Sequence, residues 1–375
     1  MTCAHSMSYI ERVITGDERG AISRLIRLAL WPLSLVYRAG LAIYLSLYSA
    51  GLRSRMRLNV PVISVGNLTF GGTGKTPAVQ TLCRLLQERG KRVAVLSRGH
   101  GGSGRGIVVV SDGADILADA ASAGDEPVML ARTLPGVPVV VGKDRRATGR
   151  LACETFRPDV IVLDDGLQYW QLHRDLDIIV IDAERPFGSG RVMPMGDLRE
   201  PPGAIRRAGV VLINAPPAIG DAAWQRLLET VRSMTSATLL RCCRKPESLI
   251  RADTGEVLPL DRVSGRRVLA FCGIGRPPGF VEMLISLGAR LEDTIVFGDH
   301  HAYGPSDVET VRHRLGETGA DALVTTEKDL TRLAPGVFGK DLFALRVKLE
   351  IEESSRFADY VAGIVDGKGK APPAV

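Results

Sequence analysis

The apolar positions of this chain fall into three regimes. The first is one long run, Leu28 to Leu52 (LALWPLSLVYRAGLAIYLSLYSAGL), interrupted by a single charge, Arg38. The residues ahead of it, 1–23, are polar and irregular and predict a loose lead-in. The second regime begins at Asn59. Short β-rich runs (Val60–Val65, Val93–Leu96, Val137–Val141, Val160–Leu163, Asp177–Ile181, Val210–Ile213) alternate with helix-compatible stretches (Thr76–Arg89, Pro127–Thr133, Arg145–Phe156). Strands that read as continuous Val/Ile runs are apolar on both faces, which predicts a parallel sheet covered by helices on either side. The third regime repeats the pattern: strands at Arg267–Phe271, Leu291–Phe297, Ala322–Thr325 and Leu342–Leu349, with helices near Gly279–Leu287 and Ser306–Leu315. Between the last two regimes, residues 237–265 read as two extended strands around an Asp-Thr-Gly turn. The expected fold is α/β: a doubly wound, mainly parallel P-loop NTPase-like sheet, a second, smaller α/β lobe and an apolar N-terminal helical segment. The expected divisions are 1–57, 58–236, a β-rich hinge at 237–265, and 266–375.

A bilayer-spanning helix needs ~20 mostly apolar residues, and the first run is long enough. A mid-span arginine costs roughly 2.5–3.5 kcal/mol on insertion scales. Arg24 and Arg27 precede the run and Arg53, Arg55 and Arg57 follow it, so the basic residues set no orientation. A spanning helix, an interfacial helix with Arg38 snorkelling to the headgroups, and a buried hairpin of a soluble domain all fit the pattern. Attachment to a membrane surface is the expectation.

Charge narrows the partners. The net charge is +6 with a pI near 9.1, which suits an anionic partner. Aromatic residues make up only 5 % and do not interleave with basic ones, so a nucleic-acid platform is not expected. The six cysteines (Cys3, Cys83, Cys153, Cys242, Cys243, Cys272) form no CxxC pair and no zinc spacing, which predicts free thiols in a reducing compartment. No cleavable signal peptide opens the chain, so the catalytic body is expected in the cytoplasm.

The strand Val62–Val65 runs into GNLTFGGTGKTP and then a helical stretch, the context a Walker A phosphate loop requires. Backbone N–H groups of such a loop converge on phosphate oxygens, and the helix behind it points its positive end at the same anions. Lys75 would reach the β- and γ-phosphates, and the Thr76 hydroxyl would ligate Mg²⁺. One position departs from the strict pattern: Thr69 stands where the first glycine belongs, while Gly71, Gly72 and Gly74 remain.

A P-loop also needs an acid at a strand end to hold Mg²⁺. Val160–Leu163 ends in Asp164-Asp165-Gly166, which is Walker B in form, although both acids could simply form a turn. Gly124-Asp125-Glu126-Pro127 opens another helical stretch. It reads equally as an N-cap aspartate with a first-turn glutamate, or as catalytic acids. Gly298-Asp299-His300-His301 ends a strand of the second lobe and could supply a proton acceptor for an alcohol; a lone histidine is more often structural. Two basic stretches, Ser97-Arg98-Gly99 and Gly190-Arg191 through Leu198-Arg199-Glu200-Pro201, could clamp anions or be solvated charge.

Together these segments resemble the tetraacyldisaccharide 4′-kinase family. The likeness runs in order along nearly the whole chain: the N-terminal apolar segment, VGNLTFGGTGKTP, LSRGHGG, GDEP, DDGLQ, the GxGR…PMGDLREP stretch, FGDHHAY and TTEKD. The resemblance implies an ATP- and Mg²⁺-dependent kinase that phosphorylates the 4′-hydroxyl of tetraacyldisaccharide 1-phosphate in lipid A biosynthesis. It implies that Thr69, Phe70, Gly71, Gly72, Thr73, Gly74, Lys75 and Thr76 wrap the ATP phosphates. Asp125 would activate the sugar hydroxyl, supported by His300. Asp164, Asp165 and Gln168 would serve Mg²⁺ and phosphate positioning, with Glu126 nearby as a further metal-site acid. Arg199 would meet the transferring phosphate or the substrate. The N-terminal helices would sit in the inner membrane from its cytoplasmic side and help admit the lipid. The family's LSRG is usually followed by an aromatic residue, and here that residue is His100.

Readings from other classes fare less well. A GTPase needs Asn-Lys-x-Asp after a strand, and Thr326-Glu327-Lys328-Asp329 lacks the asparagine and the spacing. A P-loop ligase or carrier ATPase of soluble substrates has no use for Leu28–Leu52, and a non-enzymatic scaffold none for the strand-end acids. A membrane-associated P-loop NTPase with a different acceptor is the runner-up.

Overall fold

Each Val/Ile-rich run of the second regime forms a buried strand in the computed structural model, which describes residues 9–334 and 336–368. The chain divides into two compact units: residues 9–244 with 349–368, and residues 245–348.

The first unit opens with α1 (Tyr9–Thr15) and α2 (Ala21–Ser49). The elements that follow are β1 (Val62–Gly66), α3 (Lys75–Glu88), β2 (Val93–Ser97), β3 (Val108–Ser111), α4 (Ala120–Ala123) and α5 (Asp125–Thr133). Then come β4 (Val139–Val141), α6 (Arg145–Phe156), β5 (Val160–Asp164), β6 (Leu176–Asp182), β7 (Val210–Asn214), α7 (Asp221–Arg232) and the start of β8 (Thr238–Arg251). The strand order is β3-β4-β2-β5-β1-β6-β7-β8. The β3–β4 pair is antiparallel and the other pairs are parallel. Strands β1, β2, β4, β5 and β7 are buried along their whole length, as two-sided coverage by helices requires. Register pairs Val65 with Asp164 and Leu96 with Leu163, so β1, β2 and β5 end side by side. Carboxyl ends of parallel strands are where this architecture collects its ligands.

Two sequence expectations need correction here. The lead-in contains α1, and α2 begins before the apolar run, because Arg27 ties the two helices together by donating from Nε to the Val13 carbonyl (3.2 Å). Residues 349–368 belong with the first unit and not with the second lobe. Phe357 and Val361 of α11 (Ser354–Val365) share a core cluster with Val79, Leu82 and Leu86 of α3. Burying side chains of that size contributes about 1.5–3 kcal/mol each, which fixes α11 there.

Helix α2 is a single helix rather than a buried hairpin, and it is long and apolar enough to cross a membrane. Its apolar side chains face outward: Ile22, Leu25, Leu28, Trp31, Leu33, Val36 and Ile43 are each more than half exposed. Its buried residues are Ser23, Ser34 and Tyr48. Ser34 donates to the Val192 carbonyl (2.9 Å), Tyr37 donates to the Arg199 carbonyl (2.9 Å), and Tyr48 packs on Trp170. The polar side of the helix is thus docked on the unit along most of its length.

The second unit holds the rest of β8, then β9 (Val257–Leu258), β10 (Arg267–Cys272), α8 (Pro277–Ser286), β11 (Arg290–Val296), α9 (Pro305–Thr318), β12 (Ala322–Thr326), α10 (Glu327–Leu330) and β13 (Leu342–Ile351) as far as Lys348. Strands β8 and β9 form the hairpin expected around Asp-Thr-Gly, pairing Leu249 with Leu258. The parallel order β11-β10-β12-β13 carries its own core around Phe271, Leu269, Leu323 and Ile295. Cys83, Cys153, Cys242, Cys243 and Cys272 are free thiols, and Cys3 lies outside the described residues.

Candidate active site

The loop between β1 and α3 forms the centre of the first unit's strand-end edge. Thr69 pairs with Leu198 in an antiparallel bridge, Phe70 N–H donates to the Asp197 carbonyl (2.8 Å), and Arg199 N–H donates to the Leu68 carbonyl (2.8 Å). The segment around 197–199 therefore laces onto the phosphate loop. Thr69 takes no left-handed backbone, so this position does not need the glycine of the strict motif. Gly74 does, with φ +103° as the N-cap of α3, where an L side chain would be strained. Around Gly71 and Gly72 there is open space: a Cβ there would meet nothing within 4 Å. Lys75 Nζ reaches back over the loop to Asn67 Oδ1 (3.2 Å), and the Asn67 amide bonds the Gly71 carbonyl (3.4 Å). Thr76 is buried in the first turn of α3.

Beside the loop, β5 delivers its two acids into different environments. Asp164 is 2 % exposed and accepts a hydrogen bond from Ser97 Oγ (2.9 Å) at the end of β2. Burial, with the negative charges of Glu126 and Asp165 added, pushes its carboxyl up to about 7. Asp165 follows in left-handed backbone (φ +52°), a conformation aspartate tolerates better than most residues. Burial opposes its ionisation too. The charges of Lys75 and Arg199, with two hydrogen bonds from Arg199 Nη1 (2.7 and 2.9 Å), nevertheless hold it below the ordinary carboxylate value. Two adjacent carboxyls are thereby split, one poised near neutrality and one firmly anionic.

Gln168 bridges the loop to the 199–200 segment. Its Nε2 donates to the Asn67 carbonyl (3.1 Å) and to Glu200 Oε1 (3.0 Å). Glu200, itself buried, is clamped by both guanidinium nitrogens of Arg207 at 2.5 Å. The Arg199 guanidinium also lies over the half-exposed Phe70 ring (4.9 Å).

Asp125 and Glu126 occupy the first turn of α5. The N-cap residue is Gly124, not Asp125, which removes the capping-aspartate alternative. Gly124 has φ +91°, and a Cβ there would stand 2.5 Å from the His100 carbonyl oxygen. Only glycine lets the start of α5 press against the loop that follows β2, and this is how GDEP and LSRGHGG come together.

Arg145 was not foreseen. It is 4 % exposed at the start of α6, lies over the Tyr169 ring (5.3 Å) and interacts with the charges of Asp164 and Asp165. Its Nε has no hydrogen-bond partner among the described residues, and neither has Arg199 Nε or the Thr73 hydroxyl. Buried donors without acceptors cost about 1–3 kcal/mol each, so three at one strand-end edge suit an anionic ligand. In sequence, GKDRRATGR reads as solvated charge; the one available signal was its position directly after a strand.

His300 belongs to the second unit. Its backbone is left-handed (φ +58°), and its ring nitrogens face Lys328 Nζ (3.0 Å) and Arg332 Nη2 (3.3 Å). His301 is bound to Asp307 (3.0 Å) and stacked on Phe297. TTEKD forms a small helix cap. Thr326 and Asp329 bond each other, and the buried Asp329 carboxylate also accepts from the Gly273 amide (3.1 Å).

No group of three or more His, Cys, Asp and Glu side chains forms a ready metal cage among the described residues. Mg²⁺ does not require one. It binds through one or two carboxylates and keeps waters and phosphate oxygens as its other ligands. The mutual repulsion that raises Asp164 is what a divalent cation relieves, so Asp164, Glu126 and Thr76 fit that role. The metal-free protein offers a test. The folded-state value of Asp164 lies above its ordinary 3.8, so the native state holds the proton more tightly than the unfolded chain. Stability is then lost as pH rises from about 4 to about 7, and stays lost above that. Asp164→Asn, in chelator, is expected to raise Tm by several degrees at pH 8, with the gain shrinking toward pH 4. Scanning fluorimetry across that range checks this, and a gain independent of pH refutes it.

Comparison with known proteins fits this geometry. A family model described as tetraacyldisaccharide-1-P 4'-kinase matches residues 26–366. The tetraacyldisaccharide 4'-kinase of Syntrophus aciditrophicus is 45% identical over 311 residues, covering 80% of this chain and 83% of that protein. The one from Anaeromyxobacter sp. (strain Fw109-5) is 41% identical over 364 residues, covering 96% of each. Among solved structures, LpxK from Aquifex aeolicus in complex with ATP aligns with TM-score 0.74 and 33% identity, covering 91% of this chain and 99% of that one. The chain is an ATP-dependent kinase and belongs to the tetraacyldisaccharide-1-P 4'-kinase family.

Proposed function

We propose that the protein transfers the γ-phosphoryl group of ATP to the 4′-hydroxyl of tetraacyldisaccharide 1-phosphate, at the cytoplasmic face of the inner membrane. The observation that carries this reading is the orphaned donor set, Thr73 Oγ, Arg145 Nε and Arg199 Nε, beside a glycine-lined loop with Lys75 at its end. Such a transfer rests on positioning and charge stabilisation. Residues 69–76 wrap the phosphates, and Lys75 leaves Asn67 to meet the β- and γ-phosphoryl oxygens. Arg199 and Arg145 neutralise charge that spreads over the transferring group. Asp164 and Thr76, with Glu126 alongside, would hold Mg²⁺, which would supply further charge neutralisation. Asp165 is anchored by Arg199 and orients it, while Gln168 fixes the 199–200 segment to the loop. Asp125 accepts the proton of the sugar hydroxyl.

His300 acts on the acceptor side of the same reaction. Replacing it with alanine is expected to lower turnover by roughly 10²-fold while ATP affinity changes little. A large rise in the KM for ATP with normal turnover at saturation would assign His300 to the nucleotide instead.

Attachment through α2 is interfacial. Its outward apolar side chains suit acyl chains, while Ser34 and Tyr37, in the middle of the helix, are bonded to the protein body and leave no free span to cross a bilayer. The free thiols fit a reducing compartment.

Purified protein in detergent, supplied with γ-labelled MgATP and tetraacyldisaccharide 1-phosphate, tests the activity. Label on the lipid well above lipid-free hydrolysis supports it. Hydrolysis that ignores the lipid would leave a P-loop NTPase with another acceptor.

A further inference from the structure

The turn between α1 and α2 meets the segment 185–191, which follows β6, across a cavity of about 620 Å³. Five of its lining residues are arginines, Arg19, Arg24, Arg27, Arg185 and Arg191, against one acid, Asp17. Two of the five have structural work. Arg27 ties α1 to α2 through the Val13 and Glu18 carbonyls, and Arg185 pairs with Asp17 (3.0 Å) and the Thr15 carbonyl. Arg19, Arg24 and Arg191 are exposed, and their side chains have no hydrogen-bond or ion-pair partner among the described residues. Like charges gathered in one concavity repel one another, and an arrangement of this kind is relieved by an anion. The positive end of α2 begins between Arg19 and Arg24 and adds to the same field.

The position of the cavity indicates which anion. Arg24 sits among Ile22, Leu25 and Leu28, each nearly two-thirds exposed. Apolar side chains aimed outward with arginines at their margin match a bilayer at the depth where acyl chain gives way to phosphate. Arg191 lies on the same stretch as Arg199, yet the two serve different places: Arg199 faces Asp165, and Arg191 lines this cavity.

We infer that this cavity binds the phosphate of an anionic glycerophospholipid headgroup and so anchors α2 at the membrane surface. The inference rests on the interfacial attachment proposed above, adding a second, charge-selective contact to the apolar one.

Vesicle flotation tests it, comparing phosphatidylcholine vesicles with vesicles containing phosphatidylglycerol, on the full chain and on Arg19→Gln/Arg24→Gln/Arg191→Gln. These side chains are exposed and unpartnered, so folding is not at stake. Wild type should bind both vesicles and prefer the anionic ones. The triple variant should keep the phosphatidylcholine binding and lose the preference, by roughly fivefold per arginine and on the order of 100-fold in all. Arg150→Gln/Arg226→Gln/Arg232→Gln, which removes the same charge from exposed positions of α6 and α7, should keep it. Equal loss in both variants, or none in the first, overturns the inference and leaves the apolar attachment standing. Failure of wild type to bind either vesicle removes the attachment itself. A rise in Tm with inorganic phosphate at fixed ionic strength, lost in the first variant and unaccompanied by any lipid preference, would assign the cavity to free phosphate and overturn the lipid source.

Discussion

Lys75→Ala is expected to lower turnover by roughly 10³-fold or more at saturating ATP, with folding intact. The lysine is the cation of the loop, and its amino group donates to the neutral Asn67 side chain, a bond it can exchange for a phosphate oxygen. A preorganised donor aimed at developing charge is worth about 10²–10³ in rate, and a full positive charge in a dry site more. Its loss also leaves Asp165 facing Arg199 and Arg145 alone, so the balance that keeps that acid anionic weakens. The loss should fall on kcat more than on KM, because much of the charge neutralised by Lys75 develops only during transfer. Label transfer to the lipid measures it. Turnover within tenfold of wild type would remove the phosphate loop from the mechanism.

Asp125→Asn is expected to cost roughly 10²–10⁴-fold in kcat, the usual range for losing a general base, with ATP affinity held within a few-fold. The substitution is isosteric and keeps a hydrogen-bonding side chain in the first turn of α5. As a purely structural first-turn acid, Asp125 would contribute only about 0.3–1 kcal/mol through the helix dipole, visible as a small change in Tm and none in kcat. The two roles therefore separate on two instruments. A full-strength kcat with a lowered Tm would return Asp125 to a structural role, and a loss confined to KM would move it to substrate binding.

The strands were legible because they are buried on both faces. A run such as Val160-Ile161-Val162-Leu163 has no polar alternation to confuse with helix, and β5 begins at Val160 as expected. The glycine-rich loop between β1 and α3 was legible because its glycines, lysine and following helix are local. Three things were not. The pairing of α11 with α3 depends on contacts more than 250 residues apart, for which composition carries no signal. Arg145 looked like surface charge because its burial comes from Tyr169 and from the ends of neighbouring strands, not from its own segment. The cavity at Arg191 was hidden because one basic stretch serves two places, and sequence adjacency suggested a single clamp. Strand alternation alone would turn the two acids of DDG opposite ways. They do differ in surroundings, but through the left-handed turn at Asp165, just past the strand end.

The bonds from Ser34 and Tyr37 have a practical consequence. The helix proposed to meet the lipid phase also forms the backing of the segment that carries Arg199, whose carbonyl accepts from Tyr37 and whose amide is bound to the loop between β1 and α3. Deleting the first fifty residues to obtain a more tractable protein would not liberate an intact catalyst. It would unlatch the arginine. For the same reason the choice of amphiphile is a kinetic variable: a micelle that peels α2 off its seat slows the chemistry itself, and what reads as a poor preparation is a displaced hinge pin.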